Sequence, residues 1–555
     1  MKIIPKWLAH PPHRTVLYLL LGGLLFRGIV AFFLFPGFDE AYYYLYTQHL
    51  DWSYFDHPLL VALTTGVGPW SLGAISQFTL RLGALLIHTG SLILLYLTAA
   101  RLFSSDAARL TLAIATIAPL FALGFGSLTS PDNMLIFAWT ATLFWAACEF
   151  FPSQSGTSSA DSGASLPSVS YRPTYRLAAF GVLIGLACLS KYHGFILALS
   201  LVGFCLTSRR YRCALISPWM ALAFGLFVIT LFPLWYWNLN HDWISFRFHL
   251  SMRFDGGNDQ GGYSAFGMLV AFLAGVGYLF PTLGFPLWWV SGRALLAQLK
   301  AAFGHSQTGD DPGFRQKQAL ILWVSLPIMV GFTVLGGFQA IYPAWPAPGF
   351  WSMTLLLGER AVHWRLRSRR WVQRWLVGSG LIVATLLSIA LLHITTGTFQ
   401  KPSDYALLGG FIPPQQDGST SLIDVGQLRR RLADSSEVNA ALQEVDFIFS
   451  NEVFLTSYLD MAIRPLTQLP VVCFSADPRG FALWFDPAQF VGQDALYLTP
   501  ETLHSTPESA EDFRAYFASL EEIETVSLER GGAVTATFHI YRARTMVKPY
   551  VYPYP

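Results

Sequence analysis

The chain has 555 residues, of which 53% are hydrophobic and 13% are charged, and its formal net charge at pH 7 is +2. Together with a positive mean hydropathy, this composition excludes an ordinary water-soluble enzyme and indicates a multi-span membrane protein. The basic residues lie in short groups between apolar segments, which gives no support to a nucleic-acid partner. Four of the five cysteines lie in or beside apolar segments, so no disulfide framework is predicted.

The first apolar segment, residues 17–35, is long enough to cross a bilayer as a helix. Lys2, Lys6 and Arg14 precede this segment, which places the N-terminus in the cytoplasm by the positive-inside rule. The segment ends without the small residues of a signal-peptidase site, so we expect it to remain as an anchor. The residues that follow it are then expected outside the cytoplasm.

Ten further apolar segments predict an α-helical membrane domain of about eleven transmembrane helices within residues 1–398. The segments lie at about 80–100, 109–126, 134–151, 177–190, 194–207, 214–237, 266–290, 319–337, 340–358 and 375–395. Alternate loops hold most of the arginines and lysines, as expected if every segment crosses the membrane. The two segments within 177–207 are short for spans, and we expect a hinge between them at residues 190–194.

Two parts of the chain have the composition of water-exposed segments. The loop over residues 152–176 is rich in Ser, Gly and Pro and is expected to be flexible and cytoplasmic. Residues 399–555 contain strand-like runs at 445–449, 470–474, 495–499 and 534–541 and one helical run at 507–520. This second pattern predicts a soluble α/β or α+β domain. An odd number of spans from a cytoplasmic N-terminus places that domain outside the cytoplasm.

Two acids, Asp39 and Glu40, follow the first span directly, in a first extracytoplasmic loop predicted over residues 36–79. The loop is aromatic, which suits helices that lie along the membrane interface. A carboxylate pair without a neutralising charge is costly in hydrocarbon, so these acids belong at the interface or in a wet cavity. They are therefore candidate catalytic residues. The alternative is that the pair marks the end of the span or caps the helix that follows.

Further polar residues are predicted on the same face of the membrane. Asp132 is a third candidate catalytic acid, and the candidate substrate-binding residues are Asp56, His57, Lys191, Tyr192, His241, Arg247, Arg253 and Tyr342. This set suits the transfer of a sugar from a lipid phosphate to a hydroxyl, in which a carboxylate takes the hydroxyl proton and cations hold the departing phosphate. Each of the candidate cations also fits an interfacial side chain that extends its charge to water.

A metal site is weakly indicated. His57 follows Asp56 and His241 precedes Asp242, and imidazole and carboxylate are both metal ligands. Isolated dipeptides of this kind are common, however. No cofactor is therefore predicted to be required, no metal ligand is assigned, and a divalent metal is left open.

Six short motifs occur in order at the predicted span ends. They are Asp39-Glu40, Tyr54-Phe55-Asp56-His57-Pro58, Thr129-Ser130-Pro131-Asp132, Leu189-Ser190-Lys191-Tyr192, His241-Asp242-Trp243 and Tyr342-Pro343-Ala344-Trp345-Pro346. Together they resemble the motifs of bacterial membrane glycosyltransferases of the C-type fold. That group is related to the protein O-mannosyltransferases and to the aminoarabinose transferases that modify lipid A. The resemblance covers roughly residues 15–360 and extends loosely to the C-terminal domain.

The resemblance implies a sugar donor carried on undecaprenyl phosphate or another polyprenyl phosphate. It also implies an inverting direct displacement at a site on the periplasmic side of a bacterial inner membrane. By position it assigns Asp39 as the base with Glu40 beside it, and Asp132 as the acid that shapes the acceptor or donor pocket. Lys191 would face the phosphate. Arg247 and Arg253 match no motif and are candidates only because they are positively charged and predicted on the same face of the membrane.

The resemblance also bears on the acceptor. Protein O-mannosyltransferases carry a lumenal β-trefoil between two spans, and no segment of this sequence matches one. The expected acceptor is therefore lipid A, lipopolysaccharide or another glycan or lipid of the cell envelope, with a protein acceptor as the alternative. A transporter or channel is the alternative from another class, but a permeation path needs ionisable groups at mid-span and these spans are nearly free of acids. Arg27 is the exception; it would pair with an acid, contact the lipid phosphate or stabilise helix packing.

Overall fold

The structure is a computed structural model that describes residues 11–152, 171–252, 262–303, 311–502 and 510–554. Up to residue 396 the regular structure is helical. The helices are α1 (Pro11–Phe33), α2 (Phe38–Gln48), α3 (Leu60–Leu72), α4 (Gln77–Leu102), α5 (Ser105–Ile117), α6 (Pro131–Phe150), α7 (Arg176–Ser190), α8 (Gly194–Thr207), α9 (Pro218–Thr230), α10 (Phe232–Asn240), α11 (Ile244–Arg247), α12 (Ala265–Tyr278), α13 (Pro281–Ala302), α14 (Pro312–Leu335), α15 (Ala347–Arg367) and α16 (Arg369–Thr396).

Five helices of the described residues are long and apolar enough to cross a membrane: α1, α4, α6, α14 and α16. Two bent pairs pass the same test together, α9 with α10 at 45° and α12 with α13 at 118°, which gives up to seven spans. The helices α7 and α8 are apolar but shorter, with 15 and 14 residues. Every predicted span contains helix, but the number of eleven stays a prediction. The hinge predicted at residues 190–194 is confirmed, because α7 ends at Ser190 and α8 begins at Gly194.

Two of the predicted spans differ from the structure at prolines. The segment predicted at 266–290 is not one helix, because the chain turns by 118° where Phe280, at φ +74°, precedes Pro281. The segment predicted at 340–358 begins only at Ala347, after two prolines. A residue before proline is disfavoured in the helical conformation, so prolines delay or break a helix whose hydropathy alone appears continuous.

The core of the helical part lies where α4, α5, α6 and α15 meet. Two fully buried tryptophans join α6 to α15 there. The indole N–H of Trp139 donates to Ser352 Oγ at 2.9 Å, and that of Trp351 donates to Thr140 Oγ1 at 2.9 Å. A buried indole needs such a partner, because an unpaired N–H in an apolar core costs free energy. These bonds hold α6 in place, and the first turn of α6 contributes to the site described below.

Beyond α16 the chain forms a mixed five-stranded sheet with flanking helices. The elements are α17 (Val425–Asp434), α18 (Ser436–Leu442), β1 (Phe447–Ser450), α19 (Val453–Ile463), β2 (Val471–Cys473), α20 (Phe481–Trp484), β3 (Ala495–Thr502), α21 (Glu511–Arg514), β4 (Phe517–Arg530) and β5 (Ala533–Met546). The strand order is β2-β1-β3-β5-β4. β1 is parallel to β2 and β3, whereas β5 is antiparallel to β3 and β4. The four predicted strand runs are confirmed as β1, β2, β3 and β5.

The helix predicted over residues 507–520 is wrong. Residues 503–509 lie outside the described residues, α21 has only four residues, and a strand begins at Phe517. β4 pairs along its length with β5 through a tight turn at Gly531 and Gly532, which have φ of +60° and +80°. Two adjacent residues with positive φ are typical of a β-hairpin turn, and glycine adopts them at no steric cost. Pairing with β5 therefore outweighs the weak helical pattern.

The C-terminal domain packs onto α2 and the segments on either side of it, and it also contacts the end of α16, where His393 pairs with Asp417. The Tyr458 hydroxyl of α19 donates to the carbonyl of Pro36 at 2.8 Å, and Arg429 Nη2 donates to the carbonyl of Ile75 at 3.1 Å. α2 and α19 also share one buried apolar cluster with the sheet. The helix that carries Asp39 and Glu40 is thus enclosed between the membrane helices and the C-terminal domain.

Candidate functional site

Glu40 lies in the first turn of α2, where it forms a buried ion pair. Arg81 of α4 donates from Nε to Oε1 at 2.8 Å and from Nη2 to Oε2 at 2.6 Å. The backbone N–H groups of Gly37 and Thr129 each donate to the same carboxylate at 2.8 Å. Glu40 is 3% exposed. Its carboxylate therefore accepts hydrogen bonds on all sides. By accepting from the Gly37 N–H it caps α2, which is the alternative role that the sequence offered for this pair of acids.

Asp39 precedes Glu40 but has a different environment. It lies on the exposed side of the first turn of α2. Enough protein surrounds it that burial raises the pKa of its carboxyl, and the negative charges of Asp56 and Glu40 raise that pKa further. The positive charges of Arg479 and Lys191 act in the opposite direction. An open carboxylate with a raised pKa, set among other charges, is the usual environment of a general base.

Asp56 is buried in the loop that follows α2. The Tyr46 hydroxyl donates to its Oδ1, and Arg479 donates from Nη1 to its Oδ2 at 3.3 Å. The backbone carbonyl of Asp56 contacts His249 Nε2 at 2.7 Å. Tyr46 stacks on Tyr54 with ring centroids 3.8 Å apart, which fixes the hydroxyl that meets the acid. Asp56 is thus brought near Asp39 by tertiary packing.

Asp132 and Lys191 form a second buried ion pair. Asp132 lies at the start of α6, and Lys191 Nζ donates to its Oδ1 at 3.0 Å and to its Oδ2 at 2.8 Å. Ser190 Oγ donates to the carbonyl of Pro131 at 2.5 Å, so the end of α7 is joined to the start of α6 twice. Both charged side chains are at most 10% exposed. Lys191 therefore neutralises Asp132, and the predicted contact of Lys191 with a phosphate stays a prediction.

Arg479 of the C-terminal domain enters this site from the loop after β2. Besides Asp56, it contacts Asp477, with Nε 3.2 Å from Oδ2. Its guanidinium lies over the rings of Phe454 and Phe248 at 4.9 and 5.8 Å from the ring centroids. The backbone of Arg479 has φ +45°, a strained conformation for a residue with a side chain. Sequence reasoning missed this residue.

A signal for Arg479 was present in the sequence. The run Ser475-Ala-Asp-Pro-Arg-Gly480 follows the predicted strand at 470–474 with turn-forming and charged residues. Polar side chains just past the carboxyl end of a parallel strand are a common feature of binding sites in α/β sheets. What could not be read from the run is that its partner is Asp56, 423 residues away in the chain.

Histidines and aromatic rings form one wall of the site. The His57 ring lies 5.5 Å from that of Tyr43 and 6.2 Å from that of His249. The Tyr192 ring lies 4.8 Å from that of His249. Of the predicted residues, His57 and Tyr192 are therefore on the same side as Asp56. His249, which sequence reasoning missed, connects them.

The remaining predicted residues lie further out. His241 stacks on Trp237 and, with Arg247, lines a cavity of about 250 Å³ that Leu483 of α20 also borders. Tyr342 is exposed in the loop before α15, with its ring 5.7 Å from that of Trp345. Arg253 lies outside the described residues. His241 and Arg247 thus border a recess next to the C-terminal domain.

Arg27 lies within α1 and is fully buried, with Nη2 donating to Thr89 Oγ1 at 3.2 Å. It forms no ion pair with any acid in the described part of the chain. Its side chain contacts the position that a Cβ would occupy at Gly126. Of the three roles expected for Arg27, the geometry favours helix packing.

Among the described residues, no group of three or more His, Cys, Asp or Glu side chains is suited to hold a metal ion. A larger cavity, of about 790 Å³, lies between α8, α13 and α14. Its described lining residues are mostly apolar and include no acid, so it offers no base.

Two comparisons with known proteins agree with this architecture. Residues 56–150 match the family described as dolichyl-phosphate-mannose-protein mannosyltransferase. ArnT from Cupriavidus metallidurans bound to undecaprenyl phosphate matches with a TM-score of 0.59 and 14% identity over 94% of this chain and 97% of that chain. The apo form of the same protein matches with a TM-score of 0.57 and 15% identity over the same shares. The chain has the C-type glycosyltransferase fold.

Other comparisons add less. The apo oligosaccharyltransferase of Archaeoglobus fulgidus matches with a TM-score of 0.43 and 13% identity, over 82% of this chain and 64% of that chain. No curated protein sequence matches the chain. The C-type fold predicted from the six motifs is confirmed, as is the combination of several membrane helices with a C-terminal sheet domain.

Proposed function

We propose that this protein transfers a sugar, with inversion, from a polyprenyl-phosphate donor to an acceptor hydroxyl or phosphate at the outer face of the cytoplasmic membrane. The observation that carries the proposal is the environment of Asp39. This carboxylate is open to solvent next to the end of a membrane helix and is influenced by the charges of Asp56, Arg479 and Lys191. The ArnT-like fold and the family match over residues 56–150 support the same reaction class.

The chemistry follows from what each charged group is free to do. With a hydroxyl acceptor, Asp39 is the base: it takes the hydroxyl proton as the oxygen attacks the anomeric carbon, and the bond from that carbon to the phosphate oxygen breaks. The electron pair stays on the phosphate, whose added negative charge a cation must offset. A single displacement of this kind inverts the anomeric centre.

Glu40 and Asp132 have supporting roles in this proposal. Glu40 has its four hydrogen bonds already made, and Asp132 is held by Lys191 through both oxygens. Neither carboxylate can accept a proton without losing a buried ion pair, which costs more than the step would gain. Both acids therefore position helices around Asp39.

We infer lipid A, lipopolysaccharide or another envelope glycan or lipid as the acceptor, because the chain matches ArnT over 94% of its length. A protein acceptor is the second candidate, and the match of residues 56–150 to the mannosyltransferase family favours it. The donor is a sugar on undecaprenyl phosphate, the lipid that the matched ArnT structure holds. In this proposal the protein lies in a bacterial inner membrane with Asp39 and the C-terminal domain in the periplasm.

The experiment compares lipid A, core glycan and glycoproteins of a deletion strain by mass spectrometry. We expect one of these fractions to lose a mass increment. The size of the increment identifies the sugar, and the fraction that loses it identifies the acceptor. Complementation with the wild-type chain should restore the increment, and complementation with Asp39→Asn should not. Unchanged masses in all three fractions, together with no transfer by the purified protein from lipid-linked sugars, would contradict the proposal.

A further inference from the structure

We propose that Arg479, in the loop after β2, binds the phosphate of the lipid-linked donor, so that the C-terminal domain completes the donor site. The proposal rests on the proposed function and assigns a ligand, a polyprenyl phosphate monoester or diester, to a side chain of the second domain. It follows from three observations. The other cations are already engaged in buried ion pairs, Arg479 is accessible to a ligand, and Arg479 is held rigidly against α2.

The other cations around Asp39 are already used. Arg81 is fully buried and makes five hydrogen bonds, two of them to Glu40. Lys191 is held by both oxygens of Asp132. Taking either cation for a phosphate would leave a buried carboxylate unpaired, which is strongly destabilising. A phosphate that approaches Asp39 therefore needs another cation.

Arg479 has a donor to spare. Its Nη1 contacts Asp56 and its Nε contacts Asp477, whereas Nη2 has no hydrogen-bond partner in the part of the chain that the structure describes. The side chain is 20% exposed, so a ligand can reach it. A guanidinium presents its donors in a planar fork that matches the oxygens of a phosphate. Arg479 thus offers Nη2 to a phosphate directly. Nη1 becomes available as well when its hydrogen bond to Asp56 breaks.

The position of Arg479 relative to Asp39 is fixed through α2. The backbone N–H of Arg479 donates to the Tyr554 hydroxyl at 2.5 Å, and that of Gly480 donates to the Tyr42 hydroxyl at 3.0 Å. Tyr42 lies one turn after Asp39 on α2. The rings of Phe454 and Phe248 hold the guanidinium in place. A phosphate bound by Arg479 therefore lies at a set distance from the base, as a displacement at one carbon requires.

The charges of the site call for such a cation. Asp39 and Asp56 would repel a phosphate, and Arg479 is the cation that contacts Asp56 directly and acts on Asp39. When the sugar leaves, the phosphodiester with one negative charge becomes a monoester with up to two, while the acceptor proton moves to Asp39. Arg479 stabilises that added charge at the phosphate oxygen, so its contribution increases as the bond breaks.

The first experiment measures the binding of undecaprenyl phosphate itself to the full-length protein in nanodiscs, without sugar and without turnover. Removing a charge-assisted hydrogen bond weakens binding by about 10- to 100-fold, which is the expected loss for Arg479→Gln. Arg479→Lys should recover part of the loss, because it restores the charge without the fork. Undiminished binding by Arg479→Gln would overturn the proposal.

Two further variants separate phosphate binding from a structural role. Asp56→Asn breaks the same ion pair but leaves the cation free, so it should bind undecaprenyl phosphate as tightly as the wild type or tighter. If Arg479 served only to hold Asp56, the two variants would lose binding together, which would overturn the proposal. Arg464→Gln is the matched control. Arg464 has the same 20% exposure and pairs with Asp460 in the same domain, so its loss should lower stability and leave binding unchanged.

The outcome also distinguishes this proposal from the proposed function. If the wild type binds undecaprenyl phosphate and transfers sugar, and Arg479→Gln binds normally, only the assignment of Arg479 fails. If the wild type neither binds the lipid phosphate nor transfers a sugar from it, the proposed donor is wrong and the assignment fails with it. Melting temperatures of all variants in the same nanodiscs identify any that fail to fold.

Discussion

Arg81 and Glu40 are joined by two hydrogen bonds, from Nε to Oε1 at 2.8 Å and from Nη2 to Oε2 at 2.6 Å, and both side chains are buried. Arg81 also donates to the carbonyls of Ala31, Leu34 and Phe35 at the end of α1. One ion pair therefore fixes α1, α2 and α4 together. It leaves Asp39, the neighbour of Glu40, as the acid of the pair that remains open to chemistry.

Glu40→Gln should destabilise the protein, because it leaves Arg81 charged and buried without its carboxylate. The expected loss is roughly 3–5 kcal/mol. Thermal unfolding in detergent should show a clear fall in melting temperature and in folded yield. Asp106→Asn is the matched control, because Asp106 pairs with Arg109 at a half-exposed position and should cost at most about 1 kcal/mol. Equal melting temperatures for the two variants would contradict the structural role of Glu40.

Asp39→Asn should reduce transfer by about 10²- to 10⁴-fold, because asparagine keeps the shape of the side chain but cannot take a proton. The fold should not suffer. The pKa of Asp39 is raised by burial, so its ionised form is destabilising at neutral pH, and a neutral side chain should leave the melting temperature unchanged or higher. Single-turnover transfer and thermal unfolding measure the two effects. Full transfer activity in Asp39→Asn would contradict the assignment of Asp39 as the general base.

The pH dependence of kcat/KM should report Asp39 directly. Transfer fails as the pH falls through the pKa of the base, and a raised pKa places this acid limb above the range of an ordinary aspartate. Asp56→Asn removes a negative charge that raises the pKa, so the limb should move to lower pH. Arg479→Gln removes a positive charge that lowers it, so the limb should move to higher pH. An acid limb that moves in neither variant would assign it to another group.

Lys191→Gln should lower stability because it leaves Asp132 buried and unpaired. Combining it with Asp132→Asn should restore part of the loss, since two amides can hydrogen-bond without charge. A double-mutant cycle of unfolding free energies measures the coupling. If Lys191→Gln instead kept its stability and lost undecaprenyl phosphate binding, Lys191 would return to the phosphate site.

The topology predicts that alkaline phosphatase fused after residue 555 is active, because this enzyme requires export from the cytoplasm. A fusion truncated within the predicted cytoplasmic loop 152–176 should be inactive. These two fusions test the positive-inside orientation within the membrane domain and after its last span. An inactive C-terminal fusion that is expressed would change the number of spans by one, and residues 177–207 would be the first place to look.

The fold was largely readable because its signals are local. Hydropathy located helix in every predicted span, and alternating apolar residues located four of the five strands. The errors arose where a local signal was weak or was overridden. A continuous apolar run hid the 118° turn at Phe280 and Pro281, and pairing with β5 turned the predicted helix at 507–520 into the start of β4.

The sequence by itself determined that the chain is a membrane protein, that two acids end its first span and that a soluble domain follows its last. Composition and hydropathy act over a few residues and need no tertiary contact. Only the tertiary structure decided which acid is neutralised, which lysine is engaged and that Arg479 belongs to the site. Those ion pairs join residues 41, 59 and 423 positions apart. A charge is neutralised by an opposite charge close to it in space, and separation along the chain does not reveal which charges are close.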